Sequence, residues 1–361
     1  MKIGVIGCGN ISDVYLQNLK SYKFLDVLAC ADLLEDRAKE KSAHYGIPWV
    51  SSPDELLSIA EIDIVVDLTN PEAHADINLG AIEAGKSVYS EKPLANQLDE
   101  GIRILEEARE QGVRVGCAPD TFIGGGLQTC RNLLDEGAIG APIGATAFFL
   151  CPGHERWHPD PVFYYQPGAG PMLDMGPYYL TTLVALLGPV RMVSGFSQTT
   201  YEERMITSQP RYGQKIEVNT PTHITGTMEF ASGVIATIIT SFDVWGHQLP
   251  NIEIYGTEGS MNLPDPNTFG GPVHLIRSGE NEWSEIPLTH GHTGNERGIG
   301  VADMAISMKK GRPHRASGEM AYHVLEMMHG FLQSSTDRKH IQLSSSCDRP
   351  AALNVGWLDG V

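Results

Sequence analysis

The 361-residue chain is predicted to be an α/β protein. We expect a doubly wound parallel sheet at the N-terminus, followed by an α+β domain with a large, mostly antiparallel open sheet. Three observations predict this: a buried strand leads directly into a glycine-rich turn and a helix, strands and helices then alternate to about residue 120, and strands separated by turn signals dominate beyond it. The length suggests two domains, which we place at residues 1–120 and 121–361.

The composition of the chain argues against several classes of binding partner. The formal charge is −18 and no block of Lys or Arg is present, which argues against nucleic acid or an anionic membrane as a partner. The six cysteines are scattered without a C-x-x-C pair, so neither a disulfide framework nor a zinc site is indicated. The N-terminal apolar run is broken by Gly4 and Gly7 and is too short for a signal-peptide core, and no stretch approaches a membrane span, so we expect a cytoplasmic protein with reduced thiols.

A glycine motif follows the first strand, Lys2 to Ile6. The segment Gly7-Cys8-Gly9-Asn10-Ile11-Ser12 matches G-x-G-x-x-G, with serine in the third position, and opens a helix. Its glycines permit a tight turn and let a pyrophosphate approach backbone N–H groups at the helix start. The motif therefore predicts a Rossmann domain that binds a dinucleotide through Gly7, Gly9, Asn10 and Ile11.

The second strand, Val27 to Ala31, ends in Asp32 at the spacing expected of a ribose-binding acid. Its carboxylate can accept from the adenosine ribose hydroxyls and would repel a 2′-phosphate, which favours NAD over NADP. The alternative is that Asp32 only caps the following helix.

The alternation then continues to a sixth strand. The remaining predicted strands are Trp49-Val50, Ile62 to Leu68, Ser87 to Glu91 and Val113 to Cys117. Helices are predicted after Ser52, between residues 74 and 85, and over Leu98 to Gln111.

Two turns at the carboxyl edge of this sheet carry polar side chains. Thr69-Asn70-Pro71-Glu72-Ala73-His74 follows the fourth strand, and Glu91-Lys92-Pro93 ends the fifth. Proline keeps the preceding residue extended, so Lys92 should leave the end of a strand, at the edge where open parallel sheets bind ligands. Taken alone, each turn also has a purely structural interpretation. Lys92 would then be a solvent-exposed residue at the end of a strand, and His74 would cap a helix or lie on its face.

The second half begins with a linking helix over residues 124–140 and a strand from Ile143 to Leu150. Strands are predicted at Met192 to Thr200, Thr222 to Phe230, Val234 to Phe242, Ile252 to Tyr255, Ser260 to Leu263, Val273 to Arg277 and Trp283 to Ile286. One face of this sheet should pack against helices. The other is free to pair with a second subunit, so we predict a homodimer or homotetramer formed through the sheet.

Between these strands, residues 168–180 run into an apolar helix. Asp174 and Tyr178 are four residues apart and share one face if both are helical. Pro177 suits the first turn of a helix, so the helix is predicted to begin either upstream of Asp174 or near Gly176. A capping aspartate and a core tyrosine are the alternative roles.

Three segments resemble one family. Gly7-Cys8-Gly9, Thr69-x-Pro71-x-x-His74 and the segment from Gly85 to Ala95 that contains Glu91-Lys92-Pro93, in this order and spacing, are similar to the Gfo/Idh/MocA family of glucose-fructose oxidoreductase, inositol dehydrogenase and rhizopine-catabolism oxidoreductases. The resemblance covers essentially the whole N-terminal domain. It implies that Lys92 reaches the nicotinamide ribose and the reacting hydroxyl, and we expect a lowered pKa for a lysine between a cofactor cation and an apolar floor. The implied cofactor contacts are Thr69, Asn70, Pro71, His74, Glu91 and Lys92.

The family's second motif, Asp-x-Gly-x-His-x-x-Asp, is only partly present. Asp174 and Gly176 match it, Tyr178 stands where the histidine would be, and Thr181 replaces the last aspartate. This pattern resembles the glucose-fructose oxidoreductase and dihydrodiol dehydrogenase branch, in which a tyrosine is the acid/base. The resemblance implies catalytic roles for Lys92, Tyr178 and Asp174, and a phenol of ordinary pKa near 10 needs a cation beside it to act as a base.

The segment His154 to Pro159 combines an indole with several hydrogen-bonding groups. Trp157 and His158 are candidate substrate contacts, with Tyr179 as a third, although such a loop can also be plain surface. The histidine pairs 154/158 and 290/292 come without matched carboxylates or thiolates, so no metal is expected.

The predicted function is an NAD-dependent oxidoreductase that moves a hydride between the nicotinamide and a secondary hydroxyl or keto carbon of a sugar, glycoside or cyclitol. Two alternatives remain open. One is a glycoside-cleaving enzyme that retains its NAD and acts by transient oxidation and elimination. The other is a non-catalytic NAD-sensing regulator, against which the intact Lys92, Asp174 and Tyr178 count.

Overall fold

The computed structural model describes residues 1–357, so the last four residues of the predicted second domain lie outside it. The N-terminal part contains a six-stranded parallel sheet with strand order β3-β2-β1-β4-β5-β6. Its strands are β1 (Lys2–Ile6), β2 (Asp26–Ala31), β3 (Trp49–Ser51), β4 (Ile64–Asp67), β5 (Ser87–Ser90) and β6 (Val115–Cys117). The helices between them are α1 (Ser12–Ser21), α2 (Glu35–Tyr45), α3 (Pro53–Ser58), α4 (His74–Glu83) and α5 (Leu98–Gln111).

The strand ends meet at one edge of this sheet. Ile6 pairs with Ala31 on one side and with Asp67 on the other, and Asp67 pairs in turn with Ser90. The strand order reverses between β1 and β4, which is where doubly wound sheets bind ligands. The residues that follow these strands therefore converge on one crevice, as the sequence predicted.

A nine-stranded sheet forms the second half, in the order β16-β15-β14-β13-β7-β12-β11-β8-β17. All its neighbours are antiparallel except β12 and β7, which run parallel. Its strands are β7 (Pro142–Leu150), β8 (Val190–Gln198), β11 (His223–Phe230), β12 (Ile235–Ser241), β13 (Ile252–Gly256), β14 (Gly259–Leu263), β15 (Val273–Arg277), β16 (Ser284–Ile286) and β17 (Ile341–Gln342). A separate hairpin pairs β9 (Glu203–Met205) with β10 (Lys215–Glu217). The sequence missed β9, β10 and β17, because two or three residues are too few to show an alternating pattern.

Helices cover one face of this larger sheet. The helices of the second half are α6 (Gly125–Asp135), α7 (Pro171–Leu187), α8 (Ile299–Lys310) and α9 (Gly318–Asp337). Of these, α8 packs against α1 and β6 of the N-terminal part instead. A Cβ at Gly226 would lie 2.4 Å from the ring of Phe331 on α9, so the absence of a side chain there lets the helix approach the sheet. α9 also contacts α5 and β6, and the C-terminal part of the chain thus packs against both sheets.

Helix α7 begins at Pro171, upstream of Asp174, which is the first of the two predicted starts; the start near Gly176 is wrong. Pro171 occupies its first position, where the missing N–H has no helical partner in any case, and Pro177 lies inside the helix. Asp174 is therefore in the first turn, and Tyr178 follows it one turn later on the same face. Among residues 1–357, no helix is both long and apolar enough to span a membrane.

Candidate active site

The glycine turn has the shape that a pyrophosphate requires. Gly7 has φ of +100°, and a Cβ there would lie 2.6 Å from the carbonyl of Leu68, so only glycine fits where β1 and β4 end side by side. Around Gly9, in contrast, no atom lies within 4 Å of a Cβ position. Ile11 precedes α1 without a side-chain cap, which leaves the positive end of the helix facing this open space. These residues fit the dinucleotide that the sequence predicted.

Asp32 lies at the rim of the same turn. One carboxylate oxygen accepts a hydrogen bond from Cys8 N at 2.8 Å, and the other accepts one from Leu34 N at 2.8 Å. Helix α2 begins after Leu34 without a side-chain cap, so Asp32 is not its capping residue. The half-buried carboxylate is thus fixed beside the glycine turn, where it can meet ribose hydroxyls.

The turn after β4 is stabilised by hydrogen bonds to two buried side chains, Asp67 and His74. Asp67 accepts from Thr69 N at 3.0 Å and from Thr69 Oγ1 at 2.6 Å. His74 is completely buried, with Nδ1 2.6 Å from Pro93 O and Nε2 3.1 Å from Thr69 O. Because His74 has no exposed surface, the structure does not support its predicted contact with the cofactor, and its ring instead links the Thr69 turn to Pro93, the residue after Lys92.

Glu91 is also engaged within the protein. Its Oε1 accepts from Tyr15 Oη at 2.7 Å, and its Oε2 accepts from Lys92 N at 2.9 Å. The carboxylate therefore fastens the end of β5 to helix α1, next to the lysine that it precedes.

Lys92 joins the two halves of the protein. Its Nζ lies 3.1 Å from Asp174 Oδ1 and 2.8 Å from Asp174 O, both on α7. Burial alone would lower the pKa of Lys92, but Asp174, Tyr178 and Glu91 outweigh it and raise the pKa above its ordinary value. The lowered pKa expected from the sequence is therefore not found, because the expectation left out the carboxylate that pairs with the ammonium.

Asp174 has a second partner from another loop. Its Oδ2 lies 2.9 Å from His154 Nε2, and His154 Nδ1 accepts a hydrogen bond from Trp157 Nε1 at 3.1 Å. Burial opposes ionisation of Asp174, yet Lys92 and His154 lower its pKa to about 2. The carboxylate is thus ionised at neutral pH and holds an ammonium on one side and an imidazole on the other.

Tyr178 lies beside this pair. Lys92 Nζ is 5.4 Å from the centroid of the Tyr178 ring, and Arg297 is a second cation whose charge acts on the phenol. Burial raises the pKa of Tyr178, although Lys92 and Arg297 both act to lower it. The group is a neutral phenol at neutral pH, with two cations placed to stabilise its phenolate.

The three candidate substrate residues have different surroundings. Trp157 is 61% exposed, and His158 beside it is half-buried, with its ring against Trp157 and Tyr164. Tyr179 is 2% exposed, and its hydroxyl lies 3.4 Å from Asn251 Oδ1. Tyr179 faces about 100° away from Tyr178 around the helix, and its burial leaves almost no surface for the predicted substrate contact.

Two residues of the cluster were missed from the sequence. The sequence indicates His154 only as one of the hydrogen-bonding groups in the segment from His154 to Pro159 and as one member of a histidine pair, and it assigns no role to Arg297. The spacing of His154 and Trp157 in one turn was the available signal for their contact, but only the fold brings either residue to α7. Within residues 1–357, no three His, Cys, Asp or Glu side chains are grouped as metal ligands.

The glycine turn after β1 and the cluster of Lys92, Asp174 and Tyr178 at the end of β5 lie at the same edge of the parallel sheet, an arrangement typical of NAD-binding oxidoreductases. The chain belongs to the Gfo/Idh/MocA family. Residues 1–118 match the oxidoreductase family model with an NAD-binding Rossmann fold, and residues 127–262 match the family's C-terminal domain.

Characterised relatives resemble most of the chain. Myo-inositol 2-dehydrogenase of Thermotoga maritima is 24% identical over 263 residues, 72% of this chain and 74% of its own. The 1,5-anhydro-D-fructose reductase of Ensifer adhaerens is 27% identical over 292 residues, 79% of this chain and 82% of its own. Among solved structures, an NAD-binding oxidoreductase from Klebsiella pneumoniae superposes with a TM-score of 0.84 at 20% identity, covering 96% of this chain and 99% of its own. Levoglucosan dehydrogenase with NADH and levoglucosan gives 0.82 at 18% identity, with the same coverage.

Proposed function

We propose that this oxidoreductase transfers a hydride between NAD and a secondary hydroxyl or keto carbon of a sugar, glycoside or cyclitol. The single observation that carries the proposal is the contact of Lys92 Nζ with Asp174 Oδ1 at 3.1 Å, next to Tyr178. This contact sets three hydrogen-bonding side chains at the edge of the dinucleotide site. Relatives named for inositol, anhydrofructose and xylose support a polyhydroxylated substrate.

Gly7, Gly9, Asn10, Ile11 and Asp32 would hold the NAD, which supplies the hydride acceptor or donor when bound. The substrate oxygen must gain or lose a proton as the hydride moves. Tyr178 is the proposed proton carrier. As a phenol it can donate to a carbonyl oxygen in reduction, and in oxidation its phenolate, stabilised by Lys92 and Arg297, can accept the hydroxyl proton.

Lys92 and Asp174 would bind and orient the reacting oxygen of the substrate and the hydroxyl next to it. The ammonium of Lys92 can donate to that oxygen and favours the negative charge that develops on it during oxidation. Asp174 is ionised, so it can accept from a neighbouring hydroxyl while it keeps Lys92 in place. A carboxylate that accepts from hydroxyls favours a diol over a simple alcohol.

The loop that carries Trp157 would supply the substrate wall. Its exposed indole offers an apolar face for the C–H face of a sugar ring, and His158 adds a polar group beside it. Both residues are proposed as substrate contacts.

We place the boundary between the cofactor domain and the substrate domain near residue 120, and propose a homodimer or homotetramer through the nine-stranded sheet. On the face turned away from α7 and α9, Phe196 and Ile235 are 74% and 60% exposed. Such an apolar face suits an isologous contact with a second copy. All six cysteines are free thiols, which supports a cytoplasmic location.

The test is NADH absorbance during incubation of the purified protein with NAD and a panel of sugars, cyclitols and glycosides, with mass analysis of the products. Steady NADH formation with one substrate class supports the proposal and identifies that class. A changed glycoside without net NADH would instead indicate cleavage with retained NAD. If no compound of the panel were oxidised with NAD or reduced with NADH, an enzymatic role would be contradicted and a regulatory role favoured.

A further inference from the structure

His154 does not belong to either family motif, yet it contacts the centre of the site. It lies in a short loop before α7, and its Nε2 is 2.9 Å from Asp174 Oδ2. The opposite oxygen of Asp174 is 3.1 Å from Lys92 Nζ. One carboxylate thus links His154 to the proposed catalytic lysine.

Trp157 determines which ring nitrogen of His154 carries the proton. An indole N–H only donates, so His154 Nδ1, 3.1 Å from Trp157 Nε1, must be an acceptor without a proton. The proton of the neutral ring is then on Nε2, the atom that faces Asp174. Both hydrogen bonds are satisfied by this tautomer alone.

The ring is also fixed in orientation. Tyr164 packs edge-on against it at 4.4 Å between ring centroids, and Phe242 lies at 4.5 Å. The backbone N–H of His154 donates to Tyr165 Oη at 3.1 Å. His154 is only 8% exposed, whereas Trp157, one turn later, is 61% exposed. The connected pair therefore reaches from an exposed indole to the buried carboxylate of Asp174.

We propose that Trp157 and His154 are positioning residues that couple the substrate wall to Lys92 through Asp174. Trp157 holds His154 in the Nε2–H tautomer, His154 orients the Asp174 carboxylate, and Asp174 orients the lysine ammonium. Because its N–H is used by His154, Trp157 presents only its ring face to the substrate. A substrate that packs on this face would also restrict the indole, and through it the lysine.

The first experiment measures the tautomer directly and does not depend on the proposed function. Protein with ¹⁵N-labelled histidine is examined by long-range ¹H–¹⁵N correlation, with the His154→Gln variant used to assign the signal. We expect an unprotonated Nδ1 and a protonated Nε2 at neutral pH, and a mixture of both tautomers in Trp157→Phe. Trp283→Phe, a partly exposed tryptophan before β16, is the matched control and should leave the His154 signal unchanged. A wild-type signal with the proton on Nδ1, or no change in Trp157→Phe, would overturn the proposal.

The second experiment is kinetic and rests on the proposed oxidoreductase activity. Glutamine can donate to Asp174 and accept from Trp157 without exchanging protons, so His154→Gln should keep kcat within about 10-fold of wild type. His154→Leu should lower kcat about 100-fold, with the KM for NAD unchanged. Trp157→Phe keeps the aromatic face and should lower kcat more than it raises the substrate KM. Equal losses of kcat in the His154→Gln and His154→Leu variants would show that His154 itself transfers a proton. If Trp157→Phe raised only the substrate KM and left kcat unchanged, the proposed coupling between Trp157 and Lys92 would be wrong. If wild type showed no turnover at all, the proposed function would fail while the tautomer measurement still decided the positioning.

Discussion

The two sides of the crevice are built by different kinds of interaction. On the cofactor side, Gly7, Asp32 and Lys92 come after β1, β2 and β5 of one parallel sheet, so the sheet places them along one edge. On the side proposed to bind the substrate, called the substrate side below, His154 and Trp157 lie between β7 and α7. Short-range sequence patterns determine the first arrangement, whereas contacts between distant segments determine the second.

A buried group of charges holds the substrate-side loop. Arg204 donates to Glu155 Oε1 at 2.7 Å and also pairs with Asp243, and all three side chains are less than 10% exposed. Glu155 accepts from Tyr165 as well. The residue next to His154 is thus anchored to β9 and to the end of β12. The two sides should therefore respond differently to substitution, and this can be tested.

The largest effect is expected at Lys92, where the two sides meet. Lys92→Met removes the ammonium, leaves Asp174 without its cation, and should lower kcat by about 10³-fold or more, because charge stabilisation at the reacting oxygen is lost. Binding of NAD, followed by fluorescence titration, should change little, since Gly9 and Asp32 remain.

Lys92→Arg is the matched control for this change. It keeps the positive charge next to Asp174 but cannot readily give up a proton. If charge alone is needed, Arg should restore much of the rate. A Lys92→Met variant that kept the wild-type kcat would exclude Lys92 from the reaction.

The next effect concerns the anchor on the substrate side. Arg204→Leu leaves Glu155 and Asp243 buried without their cation, and such a loss typically costs about 3–5 kcal/mol in the free energy of unfolding. Chemical denaturation should show this loss, and the substrate KM should rise while NAD affinity is retained. Arg191→Leu, which breaks an exposed pair with Glu229, is the control and should leave the denaturation midpoint unchanged. Equal midpoints in the two variants would show that the buried charges do not hold the loop.

The sequence predicted the cofactor side of the site better than the substrate side. The parallel sheet, its glycine turn and the position of Lys92 were predicted because each depends on a few adjacent residues. The short strands β9 and β10 were not, although β9 carries Arg204. The contact of His154 with Asp174 and the influence of Arg297 on Tyr178 involve segments 20 and 119 residues apart in the chain, and no local pattern encodes them.

A smaller effect is expected at Tyr178, and it depends on pH. Burial raises the pKa of Tyr178, so the phenolate is a minor form near neutral pH and its fraction grows about tenfold for each unit of increase in pH. We expect the oxidation rate to keep rising to about pH 9 and beyond, whereas reduction, which uses the phenol, stays nearly constant over the same range. Tyr178→Phe should lower oxidation about 100-fold and flatten its pH profile.

Tyr179→Phe is the matched control for this measurement, because the hydroxyl of this adjacent, buried tyrosine lies 3.4 Å from Asn251 Oδ1 instead of beside Lys92. It should leave both profiles unchanged. An oxidation rate in Tyr178→Phe that still rose with pH as in wild type would assign the proton transfer to another group.

The smallest effect is expected at Asp32, far from the reacting atoms. Its carboxylate is fixed by Cys8 N and Leu34 N at the rim of the glycine turn. Asp32→Ser removes a charge that would repel a 2′-phosphate, so the KM for NAD should rise about 10-fold while that for NADP falls. The ribose contact is the same before and during hydride transfer, so kcat should hardly change. Asp36→Ser, on the exposed side of α2, is the control and should alter neither KM. A large fall in kcat for Asp32→Ser would mean that the cofactor side also positions the reacting atoms, and the contrast between the two sides of the crevice would then be one of degree.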